Sequence, residues 1–170
     1  MQNKTEPGST EPAGVRLAEP EPGDLSWLQH RHMQVMAPAY GWDARYEAHV
    51  ARIVADLLER RDPARERFWV ARRGSSLLGC VGLTRVDDRR ARLRLLFVEP
   101  EARGQGLGGR LVEACVSFAR QAGYGEIVLW TVDVLEAART LYARAGFRMV
   151  AAEPSELSGA MRDETWLLKL

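Results

Sequence analysis

The segment "VEPEARGQGLGGRLVEACVSFARQAG", Val98 to Gly123, concentrates four glycines into six residues directly before a helical pattern. These glycines are Gly104, Gly106, Gly108 and Gly109. Apolar residues then recur at helical spacing from Leu107 to Ala119, and Gly123 is a typical helix stop signal. Glycine lets a backbone approach a ligand closely, and the first turn of a helix leaves about four N–H groups without partners. The segment therefore predicts an anion-binding turn between a strand and a helix. A tight turn that binds nothing is the alternative.

The bulk composition is that of an ordinary globular domain. The 170 residues are 46% hydrophobic and 28% charged, and 24 Lys and Arg against 23 Asp and Glu give a net charge of +1. This balance offers no basic footprint for nucleic acid or a membrane surface, and no apolar run approaches the roughly 20 residues that span a bilayer. The N-terminal stretch lacks the apolar core of a secretory signal, so we expect a cytoplasmic protein.

The length predicts a single domain. Residues 1–13 are rich in Pro, Glu, Gly, Ser and Thr, which predicts a flexible tail before one domain over residues 14–170. Two cysteines, Cys80 and Cys115, lie within apolar patterns that indicate buried, reduced thiols. No cysteine or carboxylate pattern around the three histidines resembles a zinc site, so no metal is expected.

The hydrophobic period changes along the chain and predicts the order β-α-α-β-β-β-α-β-α-β-β. This order is an α+β fold with a mixed sheet. The run from Phe68 to Val98 has short turns and predicts an antiparallel meander. The later run "EIVLWTV" predicts a short strand buried on both faces.

Before the meander, the sequence predicts two helices. The first covers residues 25–36 with Asp24 as N-cap and ends at Pro38 and Gly41. The second begins after the N-cap Asp43, and its apolar face continues to Leu58.

Two nucleotide-binding motifs compete for the glycine segment. Gly104, Gly106 and Gly109 satisfy G-x-G-x-x-G, and Asp133 lies about where a ribose-binding acid is found in dinucleotide sites. In that motif the first glycine follows its strand directly, whereas six positions separate Val98 from Gly104 here, and three antiparallel-type strands precede the segment. A P-loop is excluded because no Gly-Lys-Ser/Thr follows.

The spacing Arg103-x-x-Gly106-x-Gly108 resembles the acyl-CoA-binding motif of the GNAT superfamily of N-acetyltransferases. The stretch "LRLLFVEPEARGQGLG" resembles the longer form of that motif, and "AARTLYARAGF", Ala137 to Phe147, resembles the family's A-x-x-L-Y-x-x-x-G-F element. The two lie about 30 residues apart, and the predicted order of elements agrees with the family. The front segments "RH" and "YGWD" further resemble the acetyltransferase halves of bacterial regulators fused to MarR-type domains, although we expect no DNA-binding half here.

The resemblance implies a GNAT fold, with a central mixed, mostly antiparallel sheet of about seven strands and four flanking helices. It also implies acetyl-CoA as co-substrate, with the pyrophosphate at the N-terminus of the helix after the glycines. The pantetheine arm would lie beside the preceding strand. The implied cofactor-binding residues are Phe97, Val98, Arg103, Gly104, Gln105, Gly106, Leu107, Gly108 and Gly109.

Tyr142, the tyrosine of the L-Y element, is the implied catalytic residue. It would donate a proton to the leaving CoA thiolate or anchor the sulfur, unless it only packs beside Phe147. The general base is open: the strand before the motif has no acid, and Glu99 and Glu101 are expected in the loop, facing solvent. His30 and His32 are two residues apart on a helix and face different ways, so His32 is a candidate base or substrate contact. A water chain would also serve.

Tyr40 and Trp42 are candidates for the acceptor pocket, because they lie between the first two predicted helices. Related sequences carry an Asn near the start of the L-Y helix, whereas this chain has "TVDVLEAA", where Asp133 substitutes or the contact is lost. The resulting hypothesis is an acetyl-CoA-dependent N-acetyltransferase acting on a primary amine of a small molecule, peptide or protein, with a homodimer as a common state in the family. The alternatives are a non-catalytic acyl-CoA-binding sensor and a dinucleotide-dependent oxidoreductase.

Overall fold

The computed structural model describes residues 14–59, 62–156 and 160–170. The predicted tail over residues 1–13 lies outside the described residues. The strands are β1 (Val15–Ala18), β2 (Arg67–Arg73), β3 (Ser76–Arg85), β4 (Arg90–Val98), β5 (Glu126–Val132), β6 (Arg148–Pro154) and β7 (Arg162–Lys169). The helices are α1 (Asp24–Arg31), α2 (Ala37–Tyr40), α3 (Ala44–Glu59), α4 (Leu107–Gln121) and α5 (Glu136–Arg144). A π-helical turn (His32–Met36) joins α1 to α2, and a 3₁₀ turn (Pro100–Ala102) follows β4.

Seven strands form one sheet in the order β1-β2-β3-β4-β5-β7-β6. The β4–β5 pair is parallel and the other five neighbouring pairs are antiparallel. The predicted meander is the antiparallel run β2-β3-β4. The predicted α+β class and mostly antiparallel sheet are therefore confirmed. No helix among the described ranges is long and apolar enough to cross a membrane.

The first predicted helix continues past the point where Pro38 was expected to end it. The N–H of Ala37 donates to the carbonyl of His32, five residues back, so the wider π turn carries the chain from α1 into α2. Pro38 then lies in the first turn of α2, where a missing N–H costs little. Gly41, with φ of 68°, ends the segment. With α1 and α2 continuous, four helical units flank the sheet.

The two predicted N-caps have different outcomes. The Oδ1 atom of Asp43 accepts the N–H of Arg45 at 2.9 Å at the start of α3, so the prediction of this cap is confirmed. The prediction for Asp24 is wrong, because Gly23 is the N-cap and Asp24 is the first helical residue. The carboxylate of Asp24 instead forms a buried ion pair with Arg72 of β2. The same carboxylate oxygen accepts the N–H of Glu21 at 2.7 Å, so the side chain bonds to the turn before the helix and to a distant strand.

Apolar side chains fill both faces of the sheet. On one face, here called the α4 face, α4 and α5 pack over residues such as Leu93, Leu129 and Trp166. On the opposite face, the α3 face, α1 to α3 pack over Phe68, Phe97 and Val132. The two cysteines are buried and free, one on each face.

Two burial predictions are wrong. Leu58, expected on the apolar side of α3, is 69% exposed, because the contact face of α3 ends at Leu57. β5 is buried along its α4 face, but on the α3 face Trp130 is 37% exposed. The reason is that Trp130 lines a cavity on this face of the sheet.

The parallel pair β4–β5 separates halfway along its length. Pairing covers Arg90 to Leu93 of β4 against Glu126 to Leu129 of β5 and stops there. Just beyond, Leu95 has a φ of 53°, and the register between β3 and β4 shifts. A β-bulge of this kind bends its strand. The bend opens a gap between the ends of β4 and β5 and leaves backbone groups on both strands without ladder partners.

Candidate active site

A cavity of about 950 Å³ occupies this gap. It is lined by the diverging ends of β4 and β5 and by residues from both faces of the sheet. Toward the α4 face lies its loop end, residues 103–109, which comprises the turn before α4 and the first residues of that helix. All of these residues except Gln105 line the cavity. Toward the α3 face lies its aromatic end, formed by Tyr40, Trp42, Tyr46, His49 and Trp130. This volume is in the range of small-molecule and cofactor sites.

The four glycines of the loop end serve two different purposes. Gly104 and Gly106 have φ values of 74° and 77°, and a Cβ at either position would meet no atom within 4 Å. They are required by backbone conformation, and Gly106 is the N-cap of α4. At Gly108, by contrast, a Cβ would lie 3.0 Å from Cδ2 of Leu141. Gly108 therefore lets α5 pack closely against the start of α4.

The backbone N–H groups of residues 104–109 have no acceptor within the described chain. Arg110 is the first residue whose N–H enters the helical ladder, donating to the carbonyl of Gly106 at 3.2 Å. Six successive donors at a helix N-terminus, with the positive end of the helix dipole behind them, favour an anionic group such as a pyrophosphate. The geometry expected from the sequence is therefore present at this turn.

Two polar side chains of the turn bind its own backbone. Nε of Arg103 donates to the carbonyl of Val98 at 3.0 Å, and Nε2 of Gln105 donates to the carbonyl of Glu101 at 3.1 Å. Both bonds close the connection between β4 and α4. The Arg103 side chain therefore stabilises the turn itself.

The prediction that Glu99 faces solvent is wrong. Its residue surface is 4% exposed, and the Arg31 guanidinium donates to both of its carboxylate oxygens at 2.6 Å. This bidentate pair ties α1 to the end of β4. Sequence spacing gave no signal of a partner 68 residues away. Glu101 is exposed, as expected.

Tyr142 lies in α5, buried and on the cavity wall. Its ring packs near Phe147 and Trp166, with centroid separations of 5.9 and 6.5 Å. Burial raises the pKa of its hydroxyl well above the usual value, so the group stays protonated at neutral pH. Among the described residues the hydroxyl has no hydrogen-bond partner. A protonated, unpartnered hydroxyl at a cavity wall is suited to donate to a bound group.

The aromatic end is held together by ring contacts between separate elements. Trp42 lies 4.2 Å from Tyr46 and 5.1 Å from Tyr40 between ring centroids, and His49 lies 5.6 Å from Trp130. Nε1 of Trp42 donates to Sδ of Met161 at 3.4 Å, next to the start of β7. Tyr40 and Trp42 thus border the cavity where the sequence analysis placed them.

Sequence reasoning missed Tyr46, His49 and Trp130. The apolar pattern predicted that Tyr46 packs on the buried face of α3 and that Trp130 lies in the core with the rest of β5. These residues lie on the cavity wall because β4 and β5 separate, and no local sequence pattern predicts that separation.

His32 lies on the cavity wall, buried between Phe97 and Tyr46. Its Nδ1 is 3.0 Å from the carbonyl of Leu28 and therefore donates to it, which leaves Nε2 as an acceptor. Burial lowers the pKa of His32 to about 4, so the ring is neutral at pH 7. A group with that pKa is a weak base and a suitable hydrogen-bond acceptor. His30 is exposed on the other side of the helix, as predicted.

Asp133 does not border the cavity. Its Oδ1 accepts the N–H of Arg162 at 3.0 Å and ties the end of β5 to β7. Leu135 stands on the cavity wall beside it. Asp133 therefore does not replace the side-chain amide that related sequences carry in this region.

Two residues of the cavity wall each carry a buried polar atom without a hydrogen-bond partner, Oγ1 of Thr131 and Oδ1 of Asp163. They lie on neighbouring strands at the open end of the gap. Over the described ranges, no group of three or more His, Cys, Asp or Glu side chains is arranged to hold a metal ion.

The sheet also bears on the dinucleotide alternative. A doubly wound dinucleotide-binding domain needs several adjacent parallel strands. Here parallel pairing is confined to β4 and β5 within the described sheet. The glycine turn therefore lies in a different fold.

Comparison with known families identifies the class of protein. The model of the acetyltransferase (GNAT) family matches residues 27–147, more than half of the chain. The chain belongs to the GNAT family, and the resemblance drawn from its motifs is confirmed.

Individual relatives agree with this assignment. Human N-acetyltransferase 8B is 43% identical over 86 residues, which are 48% of this chain and 38% of the human protein. The matched region thus spans well under half the length of that relative.

Solved structures share the whole fold. An acetyltransferase from Streptococcus agalactiae gives a TM-score of 0.72 at 23% identity, covering 93% of this chain and 99% of its own. YncA from Salmonella typhimurium, solved with its cofactor acetyl-CoA, gives a TM-score of 0.72 at 18% identity, covering 93% of this chain and 95% of its own. At these identities the likeness shows the fold.

Proposed function

We propose that this protein is an acetyl-CoA-dependent N-acetyltransferase that acts on a primary amine of a small molecule, peptide or protein. One observation carries the proposal. Five unpartnered backbone N–H groups, those of residues 104 and 106–109, belong to residues that line one cavity. This cavity continues through the gap between β4 and β5 to an aromatic end on the other face. A two-substrate reaction needs such a site, with one substrate entering from each side.

The loop end fits the pyrophosphate of acetyl-CoA, and the gap fits its pantetheine arm. The ends of β4 and β5 carry backbone groups without ladder partners, and an extended amide-containing chain can bond to them as an added strand does. Phe97 and Val98 lie on the β4 side of this gap. The Salmonella neighbour solved with acetyl-CoA supports the same cofactor.

In the proposed reaction, the acceptor nitrogen attacks the thioester carbonyl carbon, the C–N bond forms and the C–S bond breaks. The amine loses a proton and the departing thiolate gains one. The protonated hydroxyl of Tyr142 is the proposed donor to that sulfur. An alkylamine with a pKa near 10.4 must first become neutral, which costs about 4–5 kcal/mol at pH 7. Because His32 is a weak base, we propose it as an acceptor contact and assign the amine proton to water in the open cavity.

The test begins with binding. Calorimetric titration with acetyl-CoA, CoA, NAD and NADP should show binding of the first two alone. A panel of primary amines is then assayed for release of free CoA thiol. Turnover of any amine supports the enzyme, whereas tight acetyl-CoA binding without turnover across the panel would indicate a sensor. Absence of CoA binding would contradict the assignment of the loop end.

A further inference from the structure

Asp163 presents an unusual carboxylate to the cavity. It is the second residue of β7, directly opposite Val132 of β5, and its Oδ1 atom is shielded from solvent without a hydrogen-bond partner. Leaving a carboxylate oxygen buried and unpartnered costs free energy. The Asp163 side chain also borders the cavity, so a ligand that donates to this carboxylate would offset part of that cost.

Strand alternation places Asp163 on the aromatic side of the cavity. Val132 packs in the core of the α3 face, and side chains opposite each other in an antiparallel pair share a face. Trp130 and Thr165, the next residues of the same alternation, are also opposite each other and also line the cavity. The buried Oγ1 of Thr131, 3% exposed as a residue, belongs to the opposite face. Residues with an unpartnered polar atom therefore border the gap on both sides.

No ion pair to this carboxylate is found among the described residues. His49 of α3 interacts with it electrostatically, which raises the pKa of His49, but burial and the charges of Arg94 and Arg52 outweigh this and lower that pKa overall, so the ring is largely neutral at pH 7. Arg94 lines the same cavity, but its Nε donates to Oγ1 of Thr84 at 3.2 Å and it makes no ion pair with Asp163. A bound cation is the group that would complete the site.

The surroundings define what kind of cation fits. Trp42, Tyr46 and Trp130 provide aromatic surface around the carboxylate side of the cavity. Aromatic faces attract organic ammonium groups and accommodate the apolar body attached to them. A hydrated metal ion would need several oxygen ligands, and one carboxylate among aromatic rings does not supply them.

We propose that Asp163 binds the ammonium group of the acceptor and thereby selects alkylammonium or arylalkylammonium substrates. This inference rests on the proposed function, because it assigns the aromatic end to the acceptor. An N–H of the incoming ammonium donates to the carboxylate of Asp163, and the carbon body lies against the aromatic rings. The role is one of binding and selection, and the amine proton still leaves to water before attack.

The experiment compares amines with alcohols of the same shape. Phenethylamine and phenethyl alcohol, and hexylamine and hexanol, are titrated calorimetrically into the CoA-loaded protein at pH 7, where the amines are cations. We expect each amine to bind at least about tenfold more tightly than its alcohol, as a hydrogen bond to a charged group implies. In Asp163→Asn this preference should fall to within about threefold, with affinity for the alcohols unchanged.

The control is Glu156→Gln, which removes the same charge from an exposed position on the same cavity wall. It should keep most of the preference. The proposal is overturned if the wild-type protein binds amines no more tightly than alcohols, or if Asp163→Asn keeps the wild-type preference for amines. It is also overturned if Glu156→Gln loses as much of that preference as Asp163→Asn, because the preference would then come from the overall negative charge of the cavity. The wild-type ratio stands as a test even if Asp163→Asn does not fold. The titrations are repeated without CoA, so that amine binding at Asp163 is measured independently of the proposed function. Failure of the proposed function would instead be seen as a lack of CoA binding.

Discussion

The two ends of the cavity are built in opposite ways. The loop end consists of backbone N–H groups from one continuous stretch, residues 104–109, held in place by two glycines with positive φ. The aromatic end consists of side chains from α2, the loop after it, α3 and β5, which meet only in the folded chain. Tyr142 stands on the wall of the cavity that joins them.

This difference distinguishes the part of the site suited to a shared cofactor from the part suited to a particular acceptor. Backbone amides bind the same anionic group whatever side chains surround them, so the loop end suits a shared cofactor. Side chains from four elements can be exchanged one at a time without disturbing that loop. The aromatic end is therefore where the choice of acceptor is expected to reside, and the predictions below test each region separately.

The largest effect is expected at the junction, from Tyr142→Phe. If the hydroxyl protonates the departing thiolate, turnover should fall about 10²-fold with little change in the KM for acetyl-CoA. If it only anchors the sulfur, KM should rise while kcat barely changes. Steady-state kinetics with an amine found in the thiol-release screen distinguishes the two.

Tyr124→Phe is the matched control for this substitution. It also removes one phenolic hydroxyl, which donates to the carbonyl of Arg65 at 2.9 Å and does not border the cavity. Its kinetic constants should equal those of the wild type. Unchanged kinetics in Tyr142→Phe as well would make Tyr142 a packing residue.

Gly106→Glu should disable the loop end. A carboxylate there would repel the pyrophosphate, and we expect CoA affinity to fall at least thirtyfold, about 2 kcal/mol. Gly123→Glu at the other end of α4 is the control, since Gly123 has a similar φ of 79° and equally open space around its Cβ position. Calorimetry should show normal CoA affinity for this control. Equal affinity in both folded variants would contradict the anion-binding assignment.

The buried, neutral His32 is expected to make the fold less stable in acid. Its pKa is about 4 in the folded protein against 6.5 in the unfolded chain, so the unfolded state binds more protons between these values. Stability is therefore complete above about pH 6.5 and is lost as pH falls toward 4, by about 2 kcal/mol between pH 7 and pH 5. Urea unfolding of the wild type and of His32→Gln at pH 7 and pH 5 measures how much His32 contributes to this change in the free energy of unfolding. The same pH dependence in both proteins would show that His32 does not cause it.

The smallest effect concerns packing beneath the loop end. Gly108→Val should clash with Leu141 of α5 and lower the free energy of unfolding by about 1–2 kcal/mol, an ordinary overpacking cost. Adding Leu141→Ala should restore part of this loss, because the cavity it creates receives the new side chain. A double-mutant cycle by chemical denaturation gives the coupling, and additive losses would mean that Gly108 does not serve close packing.

The comparison of the two ends also explains which predictions succeeded. The helix α4, the meander β2-β3-β4 and the glycine turn follow from local pattern and were predicted with nearly correct limits. The predictions for Asp24, Leu58 and Glu99 failed, because a distant partner or the limit of a packing face decided each of them.

By itself, the sequence determined the fold class and the loop end, because both depend on residues adjacent in the chain. Arg103, Gly106 and Gly108 are separated by two and one residues, and glycine conformation and helix polarity act at that range. Only the tertiary structure decided the aromatic end. His49, Trp130 and Asp163 lie on α3, β5 and β7, and they border one cavity because β4 and β5 separate beyond Leu93 and Leu129. The bulge in β4 produces that separation, and it has no short-range signature in the sequence.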